Sequence, residues 1–267
     1  MTVPATTLAD VFAQHQHERP GAPLLLAPET GRQHTYGALG ADVAALDALL
    51  TAQGIGAGAH VGFLLPNGLA TSALFLATMI AGRVTVPLNL LSQAPQLAYV
   101  LAHSEVRCVF VSGEQAATLA AAVALLPTTA GATPGIAVVN IDVDVPLASQ
   151  LPLRTNAGAS AAPQANDPAL LMFTSGTTGK PKGALLTHAN LLHAARTVAA
   201  WHQLTPADRV LSSLPLYHIN GQCIATLSPF VSGGSIVAPH RFSASAWWGW
   251  VDAWQPTWIN VVPTIIA

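Results

Sequence analysis

The spacing of apolar residues alternates along the chain between a helical period and a strand-like one. Leu39, Val43, Leu46 and Leu50 recur at helical intervals, which places them on one helix face. Short apolar runs bounded by glycine, proline or asparagine are typical of buried strands instead. The pattern predicts helices over residues 10–17, 36–51, 69–81, 92–103, 114–126, 188–201, 222–231 and 245–254, with another starting near residue 263. It predicts strands over residues 60–65, 85–88, 107–111, 135–141, 169–173, 183–187, 210–214, 235–237 and 258–262.

Helices and strands that alternate in this way indicate an α/β protein with two largely parallel sheets flanked by helices. Residues 154–167 carry small, polar and proline residues without periodicity, which is typical of an exposed connection. We therefore predict a first α/β subdomain over residues 1–165 and the start of a second over residues 166–267. The second sheet is expected to begin at residue 169 and to be incomplete, because the chain stops within a predicted element.

The low charge of the chain raises the question of a membrane protein. Apolar residues make up 51% of the sequence and charged residues 8%, whereas about 25% is usual for charged residues. The best candidate span, Leu69 to Ala81, is far shorter than the ~20 residues that cross a bilayer, and Arg83 follows it closely. We expect a buried helix there and no membrane span. No signal peptide is expected, because no basic segment precedes an apolar core.

Charge and cysteine usage narrow the class further. The formal net charge is -2 without a basic stripe, which argues against nucleic acid as a partner. Cys108 and Cys223 each lie in an apolar segment, so two buried thiols in a reducing compartment are expected rather than a disulfide. No local cluster has metal-ligand spacing. A cytoplasmic location follows as the expectation.

The two lysines of the chain, Lys180 and Lys182, both lie in one short segment, Leu171 to Gly183, with the sequence LMFTSGTTGKPKG. Gly176 and Gly179 allow backbone amides to approach a ligand closely, and successive N–H groups of such a loop form a concave anion site. Four hydroxyl groups add donors that rotate to suit phosphate oxygens, and the lysines add charge. The segment is predicted to bind a polyphosphate.

This segment is not a Walker A loop. Thr174 stands where that pattern requires glycine, and Pro181 stands where it requires serine or threonine after the lysine. A P-loop kinase or GTPase is therefore disfavoured. A solvated flexible turn is the other reading of such a cluster, but it leaves the exclusive placement of both lysines unexplained.

The segment FTSGTTGKPKG (residues 173–183) closely resembles the phosphate loop of the adenylate-forming superfamily, which includes acyl-CoA synthetases, peptide-synthetase adenylation domains and luciferases. Three other segments agree in order and spacing. Residues 34–39 resemble the family's T-Y-x-x-L motif, residues 81–89 its A-G-x-x-x-x-P-L-N segment, and residues 215–221 its P-x-x-H motif. The resemblance covers essentially the whole chain and about the first half of a typical family member.

The resemblance implies a two-step reaction. A carboxylate attacks the α-phosphate of ATP and gives an acyl-adenylate and pyrophosphate; the thiol of coenzyme A then displaces AMP. The implied partners are a small carboxylic acid, ATP with Mg²⁺, and coenzyme A. An acyl-CoA ligase is the expected activity, and fatty acid metabolism is one expected context. A homodimer is kept among the assemblies to be tested.

The resemblance also implies site residues. The phosphate loop is expected to contact the leaving β- and γ-phosphates, with Lys182 as a catalytic residue and Lys180 more exposed because Pro181 turns the chain. A hydroxyl group of Thr177 or Thr178 is the candidate ligand for Mg²⁺. The expected phosphate contacts are Thr174, Ser175, Gly176, Thr177, Thr178, Gly179, Lys180 and Lys182.

His218 lies in the segment PLYHING, straight after a predicted strand. A lone histidine is more often structural, but the motif places this one at the acyl pocket near the carboxylate. We expect it to act at the catalytic site by shaping and gating the pocket, because a carboxylate nucleophile needs no deprotonation at pH 7. Asn220 and Gly221 are expected to line the same pocket.

The family's later elements, which include an acidic segment for Mg²⁺, a ribose-binding aspartate, a hinge and a mobile domain with a catalytic lysine, lie beyond residue 267. The chain is therefore expected to be an N-terminal fragment, inactive alone. Two alternatives stay open, a non-catalytic nucleotide-binding or interaction module and an adenylation domain that loads a carrier protein. Trp247, Trp250 and Trp254 fall at helical spacing, which predicts a buried helix face rather than a platform for ligand stacking.

Overall fold

The protein is an α/β structure with two mixed sheets flanked by helices, seen in a computed structural model that describes residues 5–127, 135–152, 161–174 and 181–266. The strands are β1 Pro23–Leu26, β2 Gln33–Thr35, β3 His60–Leu64, β4 Val84–Pro87, β5 Cys108–Val111, β6 Ala137–Asn140, β7 Pro168–Thr174, β8 Lys182–Thr187, β9 Arg209–Leu211, β10 Ser235–Val237 and β11 Trp258–Ile259. The helices are α1 Leu8–Glu18, α2 Tyr36–Ala52, α3 Leu69–Ile80, α4 Ala94–Ser104, α5 Ala116–Ala124, α6 Leu147–Gln150, α7 His188–Trp201, α8 Ser228–Ser232, α9 Trp247–Trp254 and α10 Pro263–Ile266. A 3-10 turn, Gly113–Gln115, leads into α5, and a π-helical segment, Asn220–Leu227, leads into α8.

The larger sheet has six strands in the order β6-β5-β3-β4-β7-β8. Its strands are parallel except for the pair β7 and β8 at one edge, which is antiparallel. The second sheet has five strands in the order β11-β9-β10-β1-β2, and here the antiparallel pair is β1 with β2. Two largely parallel, helix-flanked sheets are what the alternating pattern predicts, so the predicted fold class is confirmed.

The prediction that the second sheet begins at residue 169 is wrong. Strand β7, which starts at Pro168, pairs with β4 of the first sheet, and the sequence pattern missed both β1 and β2, which pair into the second. A short apolar run does not indicate which strand it pairs with. Strand β1 pairs with β10, which lies more than two hundred residues later in the sequence. The boundary between residues 165 and 166 therefore does not coincide with the division between the sheets, and the two subdomains stay a prediction.

Helix α3 lies between the two sheets. All twelve of its residues are buried, and it packs against β4 of the six-stranded sheet and β1 of the five-stranded one. The predicted buried helix is confirmed. Within the described residues no helix is long and apolar enough to cross a membrane.

Three local predictions need adjustment. The helix predicted over residues 222–231 is a π-helical segment followed by α8, and the strand predicted over residues 210–214 ends at Leu211. The tryptophan face of α9 is half-buried rather than buried, with Trp247 and Trp254 packed on Leu26, Leu211 and Val237.

Cys108 and Cys223 are confirmed as buried free thiols, and burial raises the pKa of Cys223 to about 11.

Candidate active site

A cleft of about 930 Å³ opens where strands of both sheets end. Its wall includes Pro87 and Leu88 at the end of β4, Thr174 at the end of β7, Leu214 shortly after β9 and Val262 shortly after β11. All four strands run so that their carboxyl ends reach this cleft. In open α/β sheets ligands bind in the crevice outside those ends. The topology therefore places a ligand site here independently of any motif.

The antiparallel pair β7 and β8 carries the two ends of the glycine-rich segment. Thr174 lies opposite Lys182 in the strand register, and the Thr174 Oγ1 atom is 3.5 Å from the backbone oxygen of Lys182. Both side chains are exposed. Thr174 and Pro181 line the cleft, and Lys182 follows directly after Pro181. The hairpin thus places Thr174 on the wall of the cleft and Lys182 opposite it in the register, one position after a lining residue.

The predicted phosphate contacts between these ends, Ser175, Gly176, Thr177, Thr178, Gly179 and Lys180, lie outside the described residues. Their roles stay predictions, as does the candidate Mg²⁺ ligand among them. What the structure places is the pair of strands that holds both ends of the segment.

The loop that carries His218 forms the facing wall. The rings of Tyr217 and His218 lie 4.7 Å apart between their centroids, and both residues line the cleft. His218 is exposed, and its backbone N–H donates to the backbone oxygen of Pro215 at 3.1 Å. Partial burial raises the pKa of Tyr217. An imidazole and a phenol therefore face the cleft from one short turn.

Asn220 and Gly221 differ in where the structure places them. Asn220 lines the cleft, and its Oδ1 accepts from the side-chain amide of Asn260. Gly221 is buried and is not among the residues that line the cleft in the described chain. A Cβ atom at Gly221 would overlap the backbone oxygen of Pro215 and lie 2.8 Å from that of Leu214. Glycine is therefore required here for close backbone approach.

Besides Tyr217, three polar residues of the described cleft lining were missed by the sequence reasoning, namely Asn89, Ser92 and Gln96. Asn89 Oδ1 accepts from Leu91 N at 2.9 Å, and Gln96 Oε1 accepts from Gln93 N at 2.7 Å, which fixes both side chains near the start of α4. The signal was present, since residues 86–89 belong to a family-like segment, but the sequence did not show that this segment ends at the cleft. With Leu97, Val100 and Met172 as neighbours, the wall is apolar with a few placed polar groups, as is usual for small-molecule sites.

The sequence profile of the AMP-binding enzyme family matches residues 12–267. The chain belongs to the AMP-binding enzyme family. It is 46% identical over 265 residues to the sulfoacetate–CoA ligase of Cupriavidus necator, covering 98% of this chain and 50% of that protein. It is 30% identical over 227 residues to the oxalate–CoA ligase of Arabidopsis thaliana, covering 81% of this chain and 42% of that protein. The chain thus spans about half the length of these curated relatives.

Solved structures agree with this AMP-binding fold. ATP-bound MatB from Rhodopseudomonas palustris matches with a TM-score of 0.80 at 27% identity, covering 96% of this chain and 50% of that one. The N-terminal domain of FACL13 from Mycobacterium tuberculosis matches with a TM-score of 0.80 at 25% identity, covering 97% of this chain and 64% of that one. The predicted resemblance to adenylate-forming enzymes, N-terminal part, is confirmed.

The side chains that line the described cleft decide which metal ligands the chain offers there. In the described ranges no group of three or more His, Cys, Asp or Glu side chains is placed to hold an ion. The described lining residues include no aspartate or glutamate. Mg²⁺ is commonly held by one or two carboxylates together with substrate phosphates. Among the described residues, the lining of the cleft supplies hydroxyl, amide and imidazole groups and no carboxylate.

Proposed function

We propose that this chain is the N-terminal, ATP-binding part of an acyl-CoA ligase that activates a carboxylic acid as its adenylate and transfers the acyl group to coenzyme A. The observation that carries the proposal is the shared cleft. The β7–β8 hairpin, which holds both ends of the segment predicted to bind phosphate, and the loop with Tyr217 and His218 face the same space. Membership of the family and relatives named as CoA ligases support it.

The first step joins two anions. A carboxylate oxygen attacks the α-phosphorus of ATP, the bond to the bridging oxygen breaks, and pyrophosphate leaves with the electron pair. Such a step requires positioning and cations on the leaving phosphates. Lys182, exposed at the mouth of the hairpin, is proposed to meet that charge together with Thr174. Mg²⁺ on the phosphates, with Thr177 or Thr178 as a ligand, would neutralise the rest.

The second step exchanges one leaving group for another. The sulfur of coenzyme A attacks the acyl carbonyl, AMP leaves as an anion, and the thiol proton is lost to solvent or a base. We propose that His218 takes no proton in either step. Its position beside Tyr217 on the cleft wall suits a side chain that shapes the acid pocket and closes it behind the carboxylate.

Relatives of this chain are named for sulfoacetate, oxalate, ferulate and fatty acids. We propose a short acid with a second polar group as the first choice, because the 46% identical relative is named for sulfoacetate and because Asn89, Ser92 and Gln96 offer neutral donors in the cleft. A fatty acid is the second choice.

The test is acid-dependent exchange between ATP and pyrophosphate with sulfoacetate, oxalate, ferulate and a medium-chain fatty acid. The 267-residue chain and the longest product of its reading frame are run in parallel, each beside a Lys182→Ala variant. We expect exchange in the longer product alone, lost in the variant, and thioester formation with coenzyme A. Transfer to a carrier protein but not to coenzyme A would indicate a carrier-loading domain.

If both forms bind ATP but neither shows pyrophosphate exchange with any acid, the ligase proposal is overturned in favour of a non-catalytic nucleotide-binding module. A cytoplasmic location and a homodimer stay predictions, to be checked by fractionation and by the mass of the protein in solution.

A further inference from the structure

We propose that Asn67 is a positioning residue for the acid side of the cleft, acting through the backbone of the loop that carries His218. The inference rests on the proposed function. The side chain of Asn67 hydrogen-bonds to the main chain at Leu214 and Leu216, on either side of Pro215. Within the described residues, it makes no hydrogen bond to the side chain of a residue that lines the cleft.

The amide of Asn67 makes two bonds to this loop. Its Nδ2 donates to Leu214 O at 2.8 Å, and its Oδ1 accepts from Leu216 N at 3.0 Å. The partners are separated from it by 147 and 149 positions. Asn67 is 5% exposed, Leu214 5% and Leu216 2%. One side chain thus pairs with the loop as a neighbouring strand would, among residues that are almost fully buried.

The turn that carries Asn67 is itself fixed. It follows β3, a central strand of the six-stranded sheet, and Thr71 Oγ1 donates to Pro66 O at 2.7 Å. Gly68 has a φ of +145°, and a Cβ atom there would lie 3.2 Å from Val143. Ala70 N donates to Val143 O at 2.9 Å. The amide of Asn67 is therefore presented from a rigid base at the carboxyl end of a strand.

A second side chain holds the other face of the same loop. Gln222 is 0% exposed, and its Nε2 donates to Leu216 O at 2.7 Å. Both backbone groups of Leu216 are therefore satisfied by side chains, one from before α3 and one from the π-helical segment. Pro215 between them has no N–H to offer. Removing Asn67 leaves a buried C=O and a buried N–H without partners, and a backbone in that state moves to find others.

The residues that this movement would displace are those facing the ligand. Tyr217, His218 and Asn220 follow Leu216 within four positions and line the cleft. A misplacement of about 1 Å in a group that positions a substrate can cost roughly 10²-fold in rate. Lys182 lies on the β7–β8 hairpin, which pairs through its own backbone. The loss should therefore fall on the acid and not on ATP.

The experiment compares Asn67→Ala and Asn67→Asp with Tyr36→Phe in the longest active product of the reading frame. Asn67→Asp keeps an acceptor for Leu216 N and loses the donor to Leu214 O, so it carries the same test if Asn67→Ala does not fold. Tyr36 is a matched control, because its buried hydroxyl group also donates to a distant backbone oxygen, that of Gly234, at 2.9 Å. It lies outside the described lining of the cleft.

Two readouts are used. In pyrophosphate exchange we expect the Asn67 variants to lose roughly 10- to 100-fold in kcat/KM for the acid, while the KM for ATP changes less than about threefold. By mass spectrometry, amide hydrogen exchange should rise in residues 214–222 and stay unchanged in residues 168–174 and 182–187. Tyr36→Phe should leave both readouts near wild type.

An equal change in the KM for the acid and the KM for ATP would overturn the inference. So would amide hydrogen exchange that rises throughout the molecule, as in a general loss of stability. So would unchanged protection of residues 214–222. If the wild-type protein shows no exchange activity with any acid, the proposed function fails, while hydrogen exchange still decides whether Asn67 holds the loop.

Discussion

The two walls of the cleft are held by different kinds of bond. On the phosphate side, β7 and β8 pair backbone to backbone, with Thr174 opposite Lys182. On the acid side, the backbone of Leu214 and Leu216 bonds to the side chains of Asn67 and Gln222. A backbone ladder survives most side-chain substitutions, whereas a loop held by side chains depends on each of them.

The difference predicts that substitutions on the two walls affect different properties, the charge at the site on one wall and the stability of the fold on the other. Substitutions on the hairpin should change charge at the site while the fold stays in place, because exposed side chains there contribute little to packing. Substitutions around the loop should change stability and acid binding together, because the loop's conformation and its side-chain contacts are the same structure.

The largest effect is expected for Lys182→Ala. Its exposed ammonium group is proposed to meet charge on the leaving pyrophosphate, so exchange should fall on the order of 10²-fold. The midpoint of urea unfolding should stay within error of wild type. Lys182→Arg keeps the charge with a different geometry and should recover part of the rate.

Arg241→Ala is the matched control, since it removes another exposed cation from a different part of the chain. Equal losses in Lys182→Ala and Arg241→Ala would mean that overall charge, and not the hairpin, governs ATP. A large loss of stability in Lys182→Ala would contradict the predicted difference between the two walls.

The second effect is expected for Gly221→Ala. The new Cβ would overlap the backbone oxygen of Pro215 and lie 2.8 Å from Leu214 O, and overpacking of this kind costs about 1–3 kcal/mol. Because Leu214 is also the partner of Asn67, acid KM should rise along with the loss of stability. Urea unfolding and pyrophosphate exchange measure the two quantities.

Gly249→Ala supplies the control for a glycine in a helix. Gly249 lies in α9, and no atom within 4 Å would meet its Cβ, so alanine should stabilise the protein by up to about 1 kcal/mol. If both variants prove equally stable, the close approach at Gly221 is not a constraint.

The contrast also explains which parts the sequence alone could predict. The glycine-rich segment and its flanking strands are local features, and periodicity together with the placement of Lys180 and Lys182 identified them. Asn67 and the loop at Leu214 meet only in three dimensions, and no periodicity links residues 147 positions apart. Strand β1 was missed for the same reason, because its burial depends on a partner at β10. Asn67 lies between a predicted strand that ends at residue 65 and a predicted helix that starts at residue 69, and this spacing does not show what its side chain contacts.

The third effect is a dependence of stability on pH that belongs to the hairpin side. His188 follows β8 directly and is fully buried, with its Nδ1 accepting from Leu8 N at 3.3 Å. Burial lowers the pKa of His188, and burial likewise lowers the pKa of His15 on α1. Below pH 6.5 the unfolded state therefore binds more protons than the folded state does.

Stability should accordingly be fully present above pH 6.5 and decrease as the pH falls below it, by at most about 1.4 kcal/mol per pH unit for each histidine. Urea unfolding at pH 7.5, 6.5 and 5.5 measures the slope. His188→Gln, which cannot be protonated, should flatten part of it, and the exposed His17 replaced by Gln serves as the control. A slope that is identical in wild type and His188→Gln would exclude His188 as a source of the dependence.

The smallest effect concerns the cap at the end of the hairpin. Thr187 closes β8 and is the N-cap of α7, where its Oγ1 accepts from Asn190 N at 3.2 Å. Thr187→Ala should destabilise the protein by about 1 kcal/mol, and Thr187→Ser, which keeps the acceptor, should restore most of that. Because β7 and β8 pair in regular register from Leu170 opposite Leu186 to Thr174 opposite Lys182, neither variant should alter the KM for ATP or for the acid. If the KM for ATP rises in Thr187→Ala and returns in Thr187→Ser, the hairpin relies on a side chain after all, and the two walls of the cleft are held more alike than their hydrogen bonds indicate.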